Sequence, residues 1–160
     1  MKIAIDTNIL FDILLPDPEY KDSSFSLIVE YSKKSKLIIS EIVYAELASQ
    51  FEEINILKSF LDDANIYLEN TTTKGLWIAA RAWRDYNENR DKSLQCSKCG
   101  NQQIIMCEKC NEIITARQHI ISDFIIAGHA IEKAEKLITR DRGFYRKYFK
   151  DLKVDDPSLY

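Results

Sequence analysis

The chain has 160 residues, 46 % apolar and 29 % charged, which suits one domain, or one domain with a small insert, and excludes a disordered tail. Its formal charge of −3 argues against binding nucleic acid through bulk positive charge but leaves room for a local basic patch. No apolar run approaches the roughly 20 residues that cross a bilayer, and Asp6 and Asp12 interrupt the apolar N-terminus where a signal peptide would be uncharged. We therefore expect a cytoplasmic chain with no membrane partner.

Short aliphatic runs alternate with helical patterns along the chain. The predicted strands cover residues 2–6, 36–40, 65–69, 137–139 and 152–154. The predicted helices run to residue 15 from a cap at Thr7 or Asn8, then over residues 20–34, 41–50, 54–62, 72–90, 116–136 and 144–149, with Ser40 capping the third. The 20–34 helix is expected to bury one face made of Phe25, Ile28, Val29 and Ser32. This alternation predicts an α/β fold, a three-layer α/β/α sandwich with a mainly parallel sheet.

Four acidic residues lie at positions where such a fold commonly has its active site. Asp6 and Asp141 follow predicted strands, and ligands of open parallel sheets bind at the carboxyl ends of the strands. Glu46 and Asp123 interrupt apolar helical patterns, where an unneutralised carboxylate is costly. Two carboxylates about 4 Å apart repel by roughly 4 kcal/mol at an effective dielectric of about 20. A shared cleft would therefore need a cation.

Oxygen ligands select hard ions such as Mg²⁺ or Mn²⁺. The reaction class that follows is metal-assisted attack of water on a phosphodiester. Taken singly, each acid also has an ordinary structural interpretation. Asp6 suits a helix N-cap, Asp141 suits a turn in Asp-Arg-Gly, and Glu46 and Asp123 could be structural. The set of four is stronger than its members because one topology makes all of them converge.

The order of these motifs resembles the PIN-domain ribonucleases. The resemblance rests on Asp6-Thr-Asn-Ile-Leu, on residues 40–47 with Glu46, on Asp123 in Ser-Asp-Phe-Ile-Ile-Ala-Gly-His-Ala, and on Thr139-Arg-Asp-Arg-Gly-Phe. It implies a Mg²⁺- or Mn²⁺-dependent endoribonuclease, most often a VapC-type toxin that acts on RNA, dimerises and is silenced by a small antitoxin protein. The metal ligands that it implies are Asp6, Glu46, Asp123 and Asp141. Asn8 and Thr139 would orient carboxylate or water.

Two alternatives to the toxin stay open. One is a PIN nuclease of RNA processing or ribosome maturation, and the other is a catalytically silent zinc module that binds RNA or protein. A basic cluster near Asp141 is a candidate RNA-binding patch, although a solvated helix face is the ordinary interpretation of such charges. The cluster consists of Arg140, Arg142, Arg146 and Lys147. His119, four residues before Asp123, would share its face if the helix began that early, but a structural histidine is the favoured interpretation.

All four cysteines lie in one segment with the spacing C-x2-C-x7-C-x2-C. They are Cys96, Cys99, Cys107 and Cys110. Each pair can form a knuckle, with Gly100 and Asn111 suited to the left-handed backbone that follows it, and residues 102–106 are expected to form a hairpin between the knuckles. This pattern predicts a closed, structural zinc site rather than a redox pair or disulfides. The chain then divides into a nuclease domain over residues 1–93 and 113–160 and a zinc-ribbon insert over residues 94–112.

Overall fold

The computed structural model describes residues 1–89, 92–96, 101–115, 119–141 and 143–157. The strands are β1 (Lys2–Ile5), β2 (Lys36–Ile39), β3 (Ile66–Leu68), β4 (Leu94–Gln95), β5 (Gln102–Gln103), β6 (Lys136–Ile138) and β7 (Val154–Asp155). The helices are α1 (Thr7–Leu14), α2 (Lys21–Ser32), α3 (Glu41–Ala48), α4 (Ile54–Asp63), α5 (Thr73–Asn89), α6 (Ile121–Lys133) and α7 (Phe144–Tyr148). Within this part of the chain, no helix combines the length and apolarity needed to cross a membrane.

Five parallel strands form the main sheet in the order β3-β2-β1-β6-β7. The chain builds outward from β1 to β3 on one side and then returns to place β6 on the other side of β1. The strand order therefore reverses between β1 and β6, and the carboxyl ends of these two strands open a crevice. Ala4 in β1 pairs with Ile38 on one side and Leu137 on the other, so this crevice sits at the centre of the sheet.

The central strands β1, β2 and β6 are buried on both faces after their first residue, as a parallel sheet between two helical layers requires. The largest fully buried side chains include Ile3 and Ile5 of β1, Ile38 of β2 and Leu137 of β6. Their continuous aliphatic character is what distinguishes these short runs from the amphipathic helices around them. The predicted three-layer α/β/α sandwich is confirmed.

Three predicted details are wrong. The N-cap of α1 is Asp6, whose side chain accepts from the Thr7 amide, rather than Thr7 or Asn8. Helix α6 begins at Ile121 instead of residue 116, and residues 116–118 lie outside the described part of the chain. Strand β7 lies two residues later in the chain than the predicted strand that begins at residue 152. Ser40 caps α3 as predicted, by accepting from the Val43 amide.

The buried face of α2 is offset by one residue from the predicted face. The buried residues are Ser24, Leu27, Ile28 and Tyr31. Phe25, placed in the core by the sequence pattern, is 54 % exposed. The reason is that two polar positions on the buried face find partners there: the Ser24 hydroxyl donates to Asp12 at 2.6 Å, and the Tyr31 hydroxyl donates to Asp155 at 2.5 Å. Satisfied hydroxyls can be buried at little cost.

The cysteine segment forms two small hairpins, each enclosing one C-x2-C pair. Strands β4 and β5 pair antiparallel, with Gln95 opposite Gln102, and an antiparallel bridge joins Met106 to Ile113. The predicted hairpin between the knuckles is therefore wrong, because the residues that pair flank each C-x2-C pair and residues 102 and 103 pair back to β4. Cys99, Gly100, Arg90 and Arg142 lie outside the described residues.

Candidate active site

Asp6 stands at the centre of the crevice, directly after β1. Its Oδ1 accepts from the Thr7 amide at 2.8 Å, and its Oδ2 accepts from the Thr139 hydroxyl at 2.6 Å, from Asn8 Nδ2 at 2.8 Å and from the Tyr145 hydroxyl at 3.3 Å. The residue is only 6 % exposed. The strand end, the start of α1 and these four donors together hold the carboxylate in one orientation.

Asp141 lies on the neighbouring strand end, three residues after β6. Its amide donates to the Thr139 hydroxyl oxygen at 3.1 Å. Its Oδ2 accepts from the amides of Gly143 at 2.9 Å and Tyr145 at 3.1 Å, at the start of α7. Asp141 therefore serves as the turn acid that its sequence suggests and also borders the crevice. The two interpretations of this residue are compatible.

Glu46 and Asp123 approach the crevice from two helices. Glu46 lies on α3, and the Thr7 hydroxyl donates to its Oε2. Asp123 lies in the first turn of α6 and accepts from the Ile120 amide at 3.0 Å, so it closes the N-terminus of that helix. Both residues are half-buried rather than enclosed by aliphatic side chains as their sequence context suggested.

All four acids line a single cleft of about 390 Å³, which we call the acidic cleft. Its walls are formed by Asp6, Thr7, Asn8, Phe11, Glu46, His119, Asp123, Asp141, Phe144 and Tyr145. The structure thus brings together every acid that the sequence singled out, and His119 with them. A larger groove of about 550 Å³ lies along α5 and carries charges of both signs, among them Arg81 and Glu88.

The carboxylates of the cleft influence one another electrostatically. Burial raises the pKa of Asp6 to about 6, the negative charge of Asp123 adds to this rise, and the hydrogen bonds from Thr139 and Thr7 oppose it. Burial also raises the pKa of Asp123, with further increases from the charges of Glu46 and Asp141. These are the shifts expected where several acids share one site without a compensating charge.

The donor set suits a hard cation, because carboxylate oxygens are the ligands that Mg²⁺ and Mn²⁺ prefer. Among the described residues, however, no three His, Cys, Asp or Glu side chains surround one point closely enough to hold an ion as they stand. Joint ligation of one ion would therefore require the side chains of the cleft to move closer together. Asp6 is the anchored member of the set.

Asn8 and Thr139 connect the two strand ends. Asn8 Nδ2 donates to Asp6 Oδ2 and also lies 3.1 Å from the Thr139 hydroxyl oxygen, and Asn8 Oδ1 accepts from the Arg140 amide at 3.2 Å. The Thr139 hydroxyl donates to Asp6 and accepts from the Asp141 amide. The two residues therefore hold Asp6 and the segment that carries Asp141 in one hydrogen-bonded unit.

The basic residues near Asp141 occupy different environments. The Arg140 guanidinium pairs with buried Asp12 at 2.6 Å and lies over the Tyr20 ring at 4.4 Å from its centroid, so it braces α1. Arg146 and Lys147 are exposed on α7. Arg142 lies outside the described residues. The geometry thus leaves Arg146 and Lys147 as the better placed members of the predicted RNA-binding patch.

Two residues whose hydroxyl groups donate to acids of the cleft were not predicted as site residues. Tyr145 donates to Asp6, and Thr7 donates to Glu46. The sequence around Tyr145 carries no signal for its contact with Asp6, which joins α7 to the residue after β1. Thr7 likewise offered no signal, because its contact with Glu46 crosses from α1 to α3.

Comparison with known proteins agrees with this geometry. The family model described as the PIN domain matches residues 3–150. No curated protein sequence matches the chain significantly. Among solved structures, the chain is similar to one in VapBC2 from Rickettsia felis bound to a DNA fragment from their promoter, with 20 % identity, a TM-score of 0.61 and 98 % of both chains covered.

Two further structures show the same likeness. VapBC-1 from nontypeable Haemophilus influenzae has 18 % identity and a TM-score of 0.63, with 99 % of both chains covered. FitAcB from Neisseria gonorrhoeae has 18 % identity and a TM-score of 0.60, again with 99 % of both chains covered. At these identities the likeness establishes the fold. Because the family model spans nearly the whole chain and the fold agrees with it, the chain belongs to the PIN domain family.

Proposed function

We propose that this protein is a Mg²⁺- or Mn²⁺-dependent endoribonuclease, and that it acts as a VapC-type toxin of a toxin–antitoxin pair. The observation that carries the nuclease proposal is the convergence of four carboxylates from two strand ends and two helices on the acidic cleft. Burial and the negative charges of neighbouring acids raise the pKa of Asp6 and Asp123, so keeping the carboxylates of this cleft ionised together is costly. A bound cation offsets that cost.

Asp6, Glu46, Asp123 and Asp141 would hold the catalytic ion, and when bound it supplies Lewis-acid activation of water and phosphodiester. The chain's own residues prepare this site. Thr139, Asn8 and Tyr145 donate to Asp6, which keeps it oriented toward the cleft. Amides at the start of α7 hold Asp141 in the same way. These contacts reduce the reorganisation needed on binding.

The cysteine segment is proposed to bind one structural zinc ion through Cys96, Cys99, Cys107 and Cys110. An equivalent backbone hydrogen bond occurs at both C-x2-C pairs: the Cys96 amide donates to the Asn101 carbonyl, and the Cys107 amide donates to the Glu112 carbonyl, both at 2.8 Å. Backbone amides of Cys110 and Lys109 donate to the Cys107 sulfur and lower its pKa. Asn111 has a φ of +58°, as expected after such a turn.

The partners proposed are RNA, an antitoxin protein and a second copy of the chain. The support for the antitoxin is that the similar solved structures include VapBC complexes. The support for RNA near the cleft is the exposure of Arg146 and Lys147 on α7, beside Asp141. Positive side chains at such a position would contact the RNA backbone without reading its sequence.

The nuclease proposal is tested by conservative removal of single charges from the cleft. Asp6→Asn and Asp123→Asn are each expected to reduce RNA cleavage by about 100-fold or more, since even changes around the ligands of such sites cost 10- to 100-fold. Asp62→Asn, which alters an exposed carboxylate on α4, is the matched control and is expected to cleave normally. Cleavage products would be measured on gels with purified protein and Mg²⁺ or Mn²⁺.

Wild-type rates in both cleft variants would contradict the proposal. Binding of RNA that is indifferent to divalent ions, with no product from any RNA tested, would instead support the catalytically silent module. Circular dichroism of each variant separates loss of activity from loss of fold.

A further inference from the structure

One residue of the acidic cleft has no part in the proposed ligand set or in holding it. His119 lies just before α6, and its Nδ1 is 3.9 Å from Asp123 Oδ2. Its side chain is 33 % exposed. Residue 120 is extended rather than helical, and this backbone carries His119 to the cleft although α6 begins after it.

Neighbouring aromatic rings hold the imidazole in place. The Phe144 ring stacks on it with 4.1 Å between the centroids and 25° between the planes. Tyr86 meets it edge-on at 5.7 Å, and the Tyr86 hydroxyl oxygen accepts from the His119 amide at 3.4 Å. Phe144 and Tyr86 are themselves buried. Phe144 thus covers one face of the imidazole, while a third of the side chain stays exposed and lines the cleft. A ring held in this way loses little side-chain freedom when a ligand packs on its open part.

The lining of the acidic cleft includes aromatic rings as well as the four carboxylates. The aromatic residues are Phe11, His119, Phe144 and Tyr145. A single sugar joins each nucleobase to its phosphate, so a phosphodiester held at the carboxylates brings a flanking base to the wall beside them. Proteins that bind unpaired RNA stack its bases on aromatic side chains in this way.

We propose that His119 is the stacking platform for one nucleobase next to the scissile phosphate. The inference rests on the proposed nuclease function and adds a specificity-determining residue to it. The role needs the flat ring and the fixed position of His119, and it does not need a proton on the imidazole. A base paired in a duplex cannot present its face to this wall.

The test combines a variant of the protein with a variant of the RNA. The cleavage position in a single-stranded RNA is first mapped with wild-type protein, and each nucleotide flanking it is then replaced by an abasic one. At one of these positions, loss of the base is expected to lower kcat/KM by about 5- to 150-fold, the range of 1–3 kcal/mol for one stacked base. His119→Leu is expected to cause a similar loss on intact RNA.

The decisive result is the combination of the two changes. On the abasic RNA, His119→Leu is expected to cause no further loss, because the contact is already absent. His119→Phe keeps a flat ring and is expected to retain activity on intact RNA within about threefold of wild type, the tolerance of a stacking contact to the identity of the ring. Trp77→Leu removes an aromatic residue that is 67 % exposed on α5, away from the cleft, and serves as the control.

Additive losses from the abasic RNA and from His119→Leu would overturn this inference while leaving the nuclease proposal intact. Absence of RNA cleavage by the wild type would overturn both. If His119→Leu fails to fold, an RNA with 2-aminopurine at the mapped position, bound to the Asp6→Asn protein, gives the answer. Quenching of the 2-aminopurine fluorescence that persists in Asp6→Asn/His119→Phe supports stacking on the ring at position 119. Fluorescence that does not change when the RNA binds the Asp6→Asn protein overturns the stacking proposal.

Discussion

Asp6 follows β1, caps α1 and accepts hydrogen bonds from three side chains, yet burial still raises its pKa to about 6. The native chain therefore holds the Asp6 proton more tightly than the unfolded chain, whose ordinary value is 3.8. Between these two values the native state binds more protons, so this residue lowers the free energy of unfolding as pH rises. Asp6 thus costs stability at neutral pH.

The Asp6→Asn variant is expected to gain stability relative to wild type as pH rises from about 4 to about 7, because an amide does not titrate. The difference in the free energy of unfolding is expected to grow by roughly 2 kcal/mol over this range, from a pKa near 6 against 3.8. Urea unfolding with a chelator present measures it. Repeating the series with Mg²⁺ should shrink the difference, and a difference independent of pH would contradict the expectation.

At the residue scale, the positions of the four acids were predictable from the sequence, because a carboxylate after a strand or inside an apolar helical pattern stands out. The contacts of Thr7 and Tyr145 were not predictable with the same ease. Each joins residues from different elements, and nothing local in the sequence records such a pairing. The position of His119 in the cleft was equally hard to predict, since it depends on where α6 starts.

At the element scale, α5 and α6 pack through glycines. A Cβ on Gly128 would lie 2.3 Å from the Gly75 carbonyl oxygen, whereas a Cβ on Gly75 would first meet the Thr71 methyl group at 2.8 Å. A backbone oxygen cannot move without separating the helices, but a side chain can rotate. Helix α6 carries Asp123, so this close approach also positions an acid of the cleft.

The Gly128→Ala variant is expected to be destabilised by about 1–3 kcal/mol, the usual cost of overpacking, even though alanine favours helix. Gly75→Ala is the matched comparison and is expected to cost less, because its nearest obstacle is a side chain. Denaturant titration of both variants measures the two costs. Equal stability of the two variants, or a more stable Gly128→Ala protein, would show that the helices separate easily.

The paired hairpins of the cysteine segment make a second prediction at this scale. The purified chain is expected to carry about one zinc ion per molecule, and Cys107→Ser should lose it, since closed structural sites of this kind use four ligands. Gln103→Ala, in β5 of the same segment, is the control without a thiol. Mass spectrometry measures the metal, and substoichiometric zinc in the wild type would contradict the prediction.

Zinc is expected to contribute on the order of 10 kcal/mol to ordering its ribbon. Chelation should therefore increase hydrogen exchange at residues 94–96 and 101–112 and leave β1 and β6 protected. Loss of protection across the whole sheet would mean that the insert and the sandwich fold as one unit, and would contradict the division of the chain at residues 94 and 112.

At the scale of the whole molecule, the strand order β3-β2-β1-β6-β7 determines where the candidate active site lies. The reversal between β1 and β6 leaves one crevice at the centre of the sheet, and residues far apart in sequence border it. This is why the match to the PIN domain model extends over residues 3–150 instead of a local motif.

The toxin proposal is tested in cells. Expression of the chain in a bacterial host is expected to arrest growth, since an unrestrained endoribonuclease destroys essential RNA, and Asp6→Asn should restore growth. Asp62→Asn is the control and should arrest growth like the wild type. Colony counts after induction provide the measurement. Normal growth together with RNA cleavage by the purified protein would favour an enzyme of RNA processing or ribosome maturation.

The sequence by itself determined the layer architecture, the four acids and the spacing of the cysteines, because aliphatic runs, buried charges and metal-ligand spacing are local properties. Only the tertiary structure decided that Asp6 and Asp141 end adjacent strands, that Arg140 pairs with Asp12, and that His119 joins the cleft. It also decided which face of α2 is buried. These outcomes depend on strand order and on contacts between distant elements, and no local pattern in the chain encodes them.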